Sequence, residues 1–150
     1  MHKKAVVGIA LGVIMLTSVV GAVSLQTDTS KTIDLERKRE QKLNLIDNAS
    51  LSWRQGIIDD EKFIEVIEQT ISDTDLLRGE YQLLNLPPKY DKYKNLSLDS
   101  LNKQKEAFMK LKEYVQTEDP TAQQSIQSEF EQLMITSFDY RREALKVLES

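Results

Sequence analysis

Apolar residues recur alternately three and four positions apart along most of this 150-residue chain. The clearest stripe lies in the last segment, at Ile126, Phe130, Leu133, Ser137, Tyr140, Ala144 and Val147. A second stripe beside it widens the apolar face, at Met134, Phe138, Leu145 and Leu148. Strands would instead alternate at every second residue, so this spacing predicts a helix that packs against others in a bundle.

Three earlier segments show the same periodicity. The first predicted helix, about Ile33 to Gln55, has few apolar residues in its early turns, which we interpret as a solvated stalk. Its later turns place a firm stripe at Leu43, Ile46, Ala49 and Trp53. The second, about 60–85, has a seam of Phe63, Ile67, Thr70, Thr74, Leu77, Tyr81 and Leu84. The third, capped by Ser97 or Ser100, uses Leu101, Phe108, Leu111 and Val115.

Helix-ending and helix-starting residues separate these segments. Gly56 ends the first helix, Asp59 or Asp60 caps the second, and Pro87-Pro88 stops it, since proline disrupts a helix interior. Asp119-Pro120 is a typical helix start, with a capping side chain before a proline at the first helical position. The short connections predict antiparallel neighbours. The expected fold class is all-α: an N-terminal membrane or signal helix followed by an antiparallel, coiled-coil-like bundle of three or four helices.

The N-terminus is basic ("MHKK") and is followed by 21 residues without charge, Ala5 to Leu25. That length matches a transmembrane helix, which needs about 20 apolar residues. It exceeds the apolar region of a usual signal peptide, which is about 7–15 residues long. Small residues near Ala22 keep a cleaved signal as the alternative. A buried core helix or a pilin-like start fits less well. We therefore predict an anchor or signal peptide with a short linker at 1–30, and an extracytoplasmic bundle at 31–150 that is membrane-anchored, or secreted if the segment is cleaved.

Composition excludes several functions. The chain has no Cys, and its one His, His2, precedes the apolar segment. The predicted bundle therefore has no residue that could act as a thiolate nucleophile or a histidine base, and none that could complete the Glu-x-x-His metal sites found in helical bundles. Residues 31–150 carry 18 Lys and Arg against 23 Asp and Glu, which argues against a nucleic-acid surface. A calcium-binding loop with Gly56 at its turn is excluded, because Leu51, Trp53 and Gln55 would occupy the positions at which calcium needs its oxygen ligands. We predict no enzyme activity, cofactor or metal.

Residues 86–97, "LPPKYDKYKNLS", form the candidate interaction site. We interpret them as a loop, long for a bundle, that contains Lys89, Tyr90, Lys92, Tyr93 and Lys94. Tyrosines with one polar end suit contact with a partner protein, and lysines are attracted to an anionic leaflet. Two alternatives stay open: both rings pack over the end of the bundle, or the loop crosses the bundle and starts the third helix at the far end.

Two Asn-x-Ser patterns match the glycosylation signal, Asn48 in a predicted helix and Asn95 in the predicted loop. The architecture resembles that of many small exported proteins of bacteria and archaea. The expected function is a non-enzymatic extracytoplasmic interaction or structural module, tethered to the membrane through residues 5–25. The alternatives are a ligand-binding, sensor-like four-helix bundle, for which the second membrane crossing is missing, and an exported inhibitor or immunity-type protein.

Overall fold

The computed structural model describes residues 27–150, with side chains from residue 30 onward. Within that range the helices are α1 (Thr27–Arg54), α2 (Asp60–Gln82), α3 (Asp91–Gln116) and α4 (Pro120–Glu149), with a short 3-10 turn at Pro88–Tyr90. The predicted all-α helical bundle is confirmed. The predicted membrane or signal helix lies outside the described residues. Among residues 27–150, no helix combines the length and apolarity needed to cross a bilayer.

The core divides into two clusters at opposite ends of the bundle. We call the end that carries the first turns of α1 the proximal end, and the opposite end the distal end. The distal cluster includes Ile46, Trp53, Phe63, Phe108, Tyr114, Ile126 and Phe130. The proximal cluster comprises Leu35, Leu77, Tyr81, Leu84, Tyr93, Leu101, Ala144, Leu145 and Leu148. Each cluster takes alternately the start and the end of successive helices, so the four helices run up, down, up and down.

The predicted helix boundaries at two connections are confirmed. The Asp59 carboxylate accepts a hydrogen bond from the Lys62 amide at 2.8 Å and caps α2. The Asp119 carboxylate accepts one from the Ala122 amide at 3.0 Å and caps α4, with proline next in the chain. Gly56 follows the end of α1 at a φ of 75°, a left-handed conformation that glycine adopts without a Cβ clash.

The predicted seams are confirmed in α2, where all seven positions are buried. In α4 the outcome is mixed, because Leu133, Tyr140 and Val147 are only partly buried. The second stripe contributes three further buried residues, at Met134, Leu145 and Leu148. The face of α4 that meets the core is therefore centred between the two stripes.

The solvated stalk predicted for the start of α1 is wrong. Thr32, Leu35 and Arg39 are 2%, 4% and 0% exposed, so these turns belong to the core. Thr32, Arg39, Ile46 and Trp53 are seven residues apart, the repeat of a coiled-coil core position. Two of the four are polar, which hides the repeat from a search for apolar residues. The helix also includes the predicted polar linker from Thr27 onward.

The extent predicted for the 86–97 loop is also wrong. Helix α3 begins at Asp91, so Ser97 and Ser100 are buried residues within the helix rather than its caps. The connection is limited to residues 83–90, and α3 starts at the same end of the bundle at which α2 finishes. Asn95, predicted in a loop, lies in α3, whereas Asn48 lies within α1 as predicted.

Candidate functional site

Three charged side chains lie in the bundle interior, toward the proximal end. Arg39 of α1 is fully buried, and the side chain of Arg141 of α4 is 3% exposed. Glu36, one helical turn before Arg39, has a side chain that is 13% exposed. Charged groups are almost never fully buried unless they are paired, so the partners of these three define the site.

Glu36 joins α1 to all three other helices. Its Oε2 accepts a hydrogen bond from Nε of Arg141 on α4 at 3.1 Å and forms an ion pair with Nη2 of the same arginine, also at 3.1 Å. Its Oε1 accepts from the Tyr81 hydroxyl of α2 at 2.5 Å and from the Tyr93 hydroxyl of α3 at 2.9 Å. Three side chains from three helices therefore converge on one carboxylate.

Arg39 extends the network toward the distal end. Its Nε donates to Oε1 of Gln104 at 3.1 Å, and its Nη2 donates to the Ser100 hydroxyl at 2.5 Å. The hydroxyls of Ser100 and Ser137 each donate to the other residue's backbone carbonyl, at 2.6 and 2.7 Å. Gln104 in turn donates to the Thr74 hydroxyl at 3.3 Å. This polar layer connects all four helices. Among the described residues, the buried Nη1 of Arg39 has no hydrogen-bond partner.

The environment fixes the ionisation of these groups. Burial alone would raise the pKa of Glu36. The positive charges of Arg141 and Arg39 and the two tyrosine hydroxyls together outweigh that effect, so the pKa is lowered. Burial and the nearby Arg141 charge lower the pKa of Arg39 to about 10. Burial and Glu36 raise the pKa values of Tyr81 and Tyr93 well above the ordinary 10.0. Near neutral pH the carboxylate and Arg39 stay charged and the tyrosines neutral, so these groups act as fixed hydrogen-bonding partners.

An open groove runs beside this network, between α1 and the end of α2. Its walls combine charged and apolar side chains, from Lys31, Asp34, Leu35, Arg37, Lys38, Gln41, Glu80, Leu83 and Leu84. The Lys38 ammonium and the Glu80 carboxylate bridge it at 2.8 Å. Leu83 is 85% exposed, which makes it the most exposed of the large apolar side chains in the described part of the chain.

The predicted interaction residues divide into two groups. Lys89 and Tyr90 lie in the 3-10 turn, where the Lys89 ammonium is 4.7 Å from the centroid of the Tyr90 ring. Lys92 lies exposed in the first turn of α3, and Lys94 donates to the Leu84 carbonyl at 3.0 Å. Tyr93 is 0% exposed. Its assignment to an interaction loop is therefore corrected, because its ring packs in the proximal cluster and its hydroxyl binds Glu36.

The buried charges Glu36, Arg39 and Arg141 were not anticipated from the sequence. One signal that points to the arginines is the seven-residue repeat. Arg39 follows Thr32 and precedes Ile46 in one repeat, and Arg141 lies between Met134 and Leu148 in another. A polar residue at such a core position is known to specify the register and partners of packed helices.

Comparison of the chain with protein-family models, with curated proteins and with solved structures finds no match. Among residues 27–150, no group of three or more His, Cys, Asp or Glu side chains is placed to hold a metal ion.

Proposed function

We propose that this chain is a non-enzymatic, extracytoplasmic helical module held at a membrane by residues 5–25. The observation that carries the proposal is how α1 is joined to the bundle. The described part of α1 starts at Thr27 and the apolar segment ends at Leu25, so the two are adjacent in the chain. A tether at that point attaches to a helix whose Glu36 binds α2, α3 and α4.

The buried network supports a structural role for the interior. General acid–base catalysis is most efficient when the pKa of the catalytic group lies near the operating pH. The pKa of Glu36 is lowered and those of Tyr81 and Tyr93 are raised, so each moves away from neutrality. These groups also use their hydrogen bonds to join helices. The module then acts through its surface, as a contact or a spacer.

The charge next to the apolar segment supports the orientation. Lys3 and Lys4 directly abut it, whereas the five Lys and Arg residues that follow it lie at 31–42, away from the membrane edge. Because Lys and Arg at the membrane edge favour retention of the flanking residues in the cytoplasm, we give the abutting pair the greater weight. The bundle would then lie outside. Removal of the segment by a signal peptidase would release the same bundle as a secreted protein, which the following experiment distinguishes.

The test uses the full chain with a C-terminal epitope tag, expressed in a bacterial host. We expect the chain to stay with membranes after an alkaline carbonate wash and to be digested by protease added outside the cytoplasmic membrane. A variant with Leu11→Lys and Ile14→Lys interrupts the apolar segment and should leave the membrane fraction. The control variant adds the same charge far away, at the exposed positions Gln55→Lys and Gln116→Lys, and should be retained.

The mass of the purified chain completes the test. A chain that starts at Met1 supports the anchor. A mature chain that starts at Val23 or Leu25 overturns the tether and makes the bundle a secreted protein. Protection of the bundle from external protease overturns the extracytoplasmic assignment.

A further inference from the structure

The two ends of the bundle carry opposite charge. The distal segments 54–62 and 117–120 carry two cations, Arg54 and Lys62, against five acidic residues, Asp59, Asp60, Glu61, Glu118 and Asp119. The proximal segment 83–94 contains three lysines, Lys89, Lys92 and Lys94, against the single Asp91. Residues 142–149 of α4, which also reach the proximal end, are balanced in charge, and residues 28–34 of α1 carry one lysine against two aspartates. A small positive excess therefore remains at the proximal end.

The proximal end also exposes apolar surface beside its cations. Leu83 is 85% exposed and borders the groove whose floor includes Leu35 and Leu84. Tyr90 is half-buried, with the Lys89 ammonium over its ring. Exposed cations next to an amphipathic ring and an apolar side chain match the layers of a membrane surface, where charged headgroups lie above the hydrocarbon.

We propose that the proximal end of the bundle lies against anionic lipid headgroups. In this arrangement Lys89 and Lys92 bind the headgroups, and Leu83 contacts the interface. This inference rests on the proposed function, because the tether places the proximal end next to the bilayer. The acidic distal end is repelled by the same surface, so the charge asymmetry orients the bundle with its distal end toward solvent.

The distances fit this arrangement. From Thr27 to Leu35 the helix rises about 12 Å, at 1.5 Å per residue. Leu35 and Leu83 line the same groove, so Leu83 lies near the level of the third described turn of α1. Electrostatic attraction extends over a Debye length of about 8 Å at physiological salt. A tilt of the bundle toward the bilayer therefore brings Lys89 and Lys92 within range.

The test uses the natural absence of Cys in the chain. Single cysteines replace two exposed apolar residues at opposite ends, Leu83→Cys at the proximal end and Ile57→Cys at the distal end, where Ile57 is 70% exposed. Each full-length variant carries a fluorophore and is reconstituted in nanodiscs that contain a lipid with a nitroxide-labelled headgroup. The discs are made of phosphatidylcholine alone or mixed with phosphatidylserine.

We expect quenching at position 83 to be stronger in the anionic discs and to fall in high salt, with position 57 unaffected. Lys89→Gln together with Lys92→Gln should lower the ratio of docked to undocked bundle by roughly fivefold for each lysine. The control, Lys62→Gln with Lys103→Gln, removes the same charge elsewhere and should leave the quenching unchanged. Equal quenching in both lipids, or no effect of the lysine changes, overturns the proposal while the chain remains on the disc. A chain that is not retained on the disc overturns the tether and this inference together.

Discussion

The distal and proximal halves of the bundle are built from the same four helices by different interactions. The distal core is aromatic: the Trp53 and Phe63 rings stack with centroids 4.8 Å apart, and Tyr114 meets Trp53 edge-on at 6.5 Å. The indole N–H of Trp53 donates to Asp60 at 2.7 Å. The proximal half instead encloses Glu36, Arg39 and Arg141 beside its apolar cluster.

The two kinds of interior contribute differently: apolar burial stabilises the fold, and the polar network specifies how the helices are arranged. Apolar burial is non-directional and favours compactness in any register. The Glu36 carboxylate is satisfied only where Tyr81, Tyr93 and Arg141 all reach it. Replacing a buried ion network with packed apolar residues is often neutral or stabilising, whereas removal of one partner is costly. The proximal half therefore specifies which helices are neighbours, and the distal half supplies undirected stabilisation.

The largest effect is expected at the centre of the proximal network. Glu36→Ala leaves Arg39 and Arg141 buried without a counter-charge, which should cost about 3–5 kcal/mol of the free energy of unfolding. The measurement is urea denaturation of the full chain. Glu118→Ala, at an exposed position, is the control and should change stability by less than about 0.5 kcal/mol. A loss at Glu36 no greater than at Glu118 would remove the distinction between the two halves.

A similar loss is expected in the distal half for a different reason. Phe130 is 2% exposed, and Phe130→Ala should cost about 3–5 kcal/mol through lost burial and the cavity left behind. Its neighbour Glu129 is exposed and pairs with Lys110 at 2.9 Å. Glu129→Ala should cost under about 0.5 kcal/mol. Equal denaturation midpoints for the two variants would show that the assigned face of α4 is wrong.

Acid should weaken the proximal half selectively. The pKa of Glu36 is lowered in the fold from the ordinary 4.5, so its contribution is fully present above pH 4.5. As the pH falls below that value the unfolded chain takes up the proton first, and stability is lost until the pH passes the folded-state pKa. Denaturation midpoints between pH 7 and pH 3 should therefore fall more steeply for the wild-type chain than for Glu36→Gln. Parallel slopes would contradict this assignment.

The smallest effect is expected at Arg39, although it is the most buried of the three charges. Arg39→Met conserves much of the volume and relieves repulsion with Arg141. It also removes the unpartnered Nη1, while Ser100 and Ser137 keep their bonds to each other. We expect stability to change by less than about 1 kcal/mol, or to rise. A loss as large as that of Glu36→Ala would mean that Arg39 is as essential to the network as the carboxylate.

Much of the fold could be predicted from the sequence because apolar spacing reports the faces of packed helices. The seam of α2 and the caps at Asp59 and Asp119 follow from that spacing and from local backbone chemistry. The start of α3 could not be located, because its core-facing residues Ser97, Ser100 and Gln104 are polar. The Glu36 network depends on side chains from four helices, so local patterns do not reveal it. Only the seven-residue repeat through Arg39 hints at its position.

The Glu36–Arg141 contact has a consequence for the order of folding. The two residues are 105 positions apart in the chain, and closing a long loop has an entropic cost that grows with its length. The contact between α3 and α4 through Ser100 and Ser137 spans 37 positions. We therefore expect the α3–α4 hairpin to form early and the Glu36–Arg141 contact, which joins α1 to α4, to form late. During synthesis α1 emerges first, yet the Glu36 carboxylate cannot pair with Arg141 until the second half of α4 has been made.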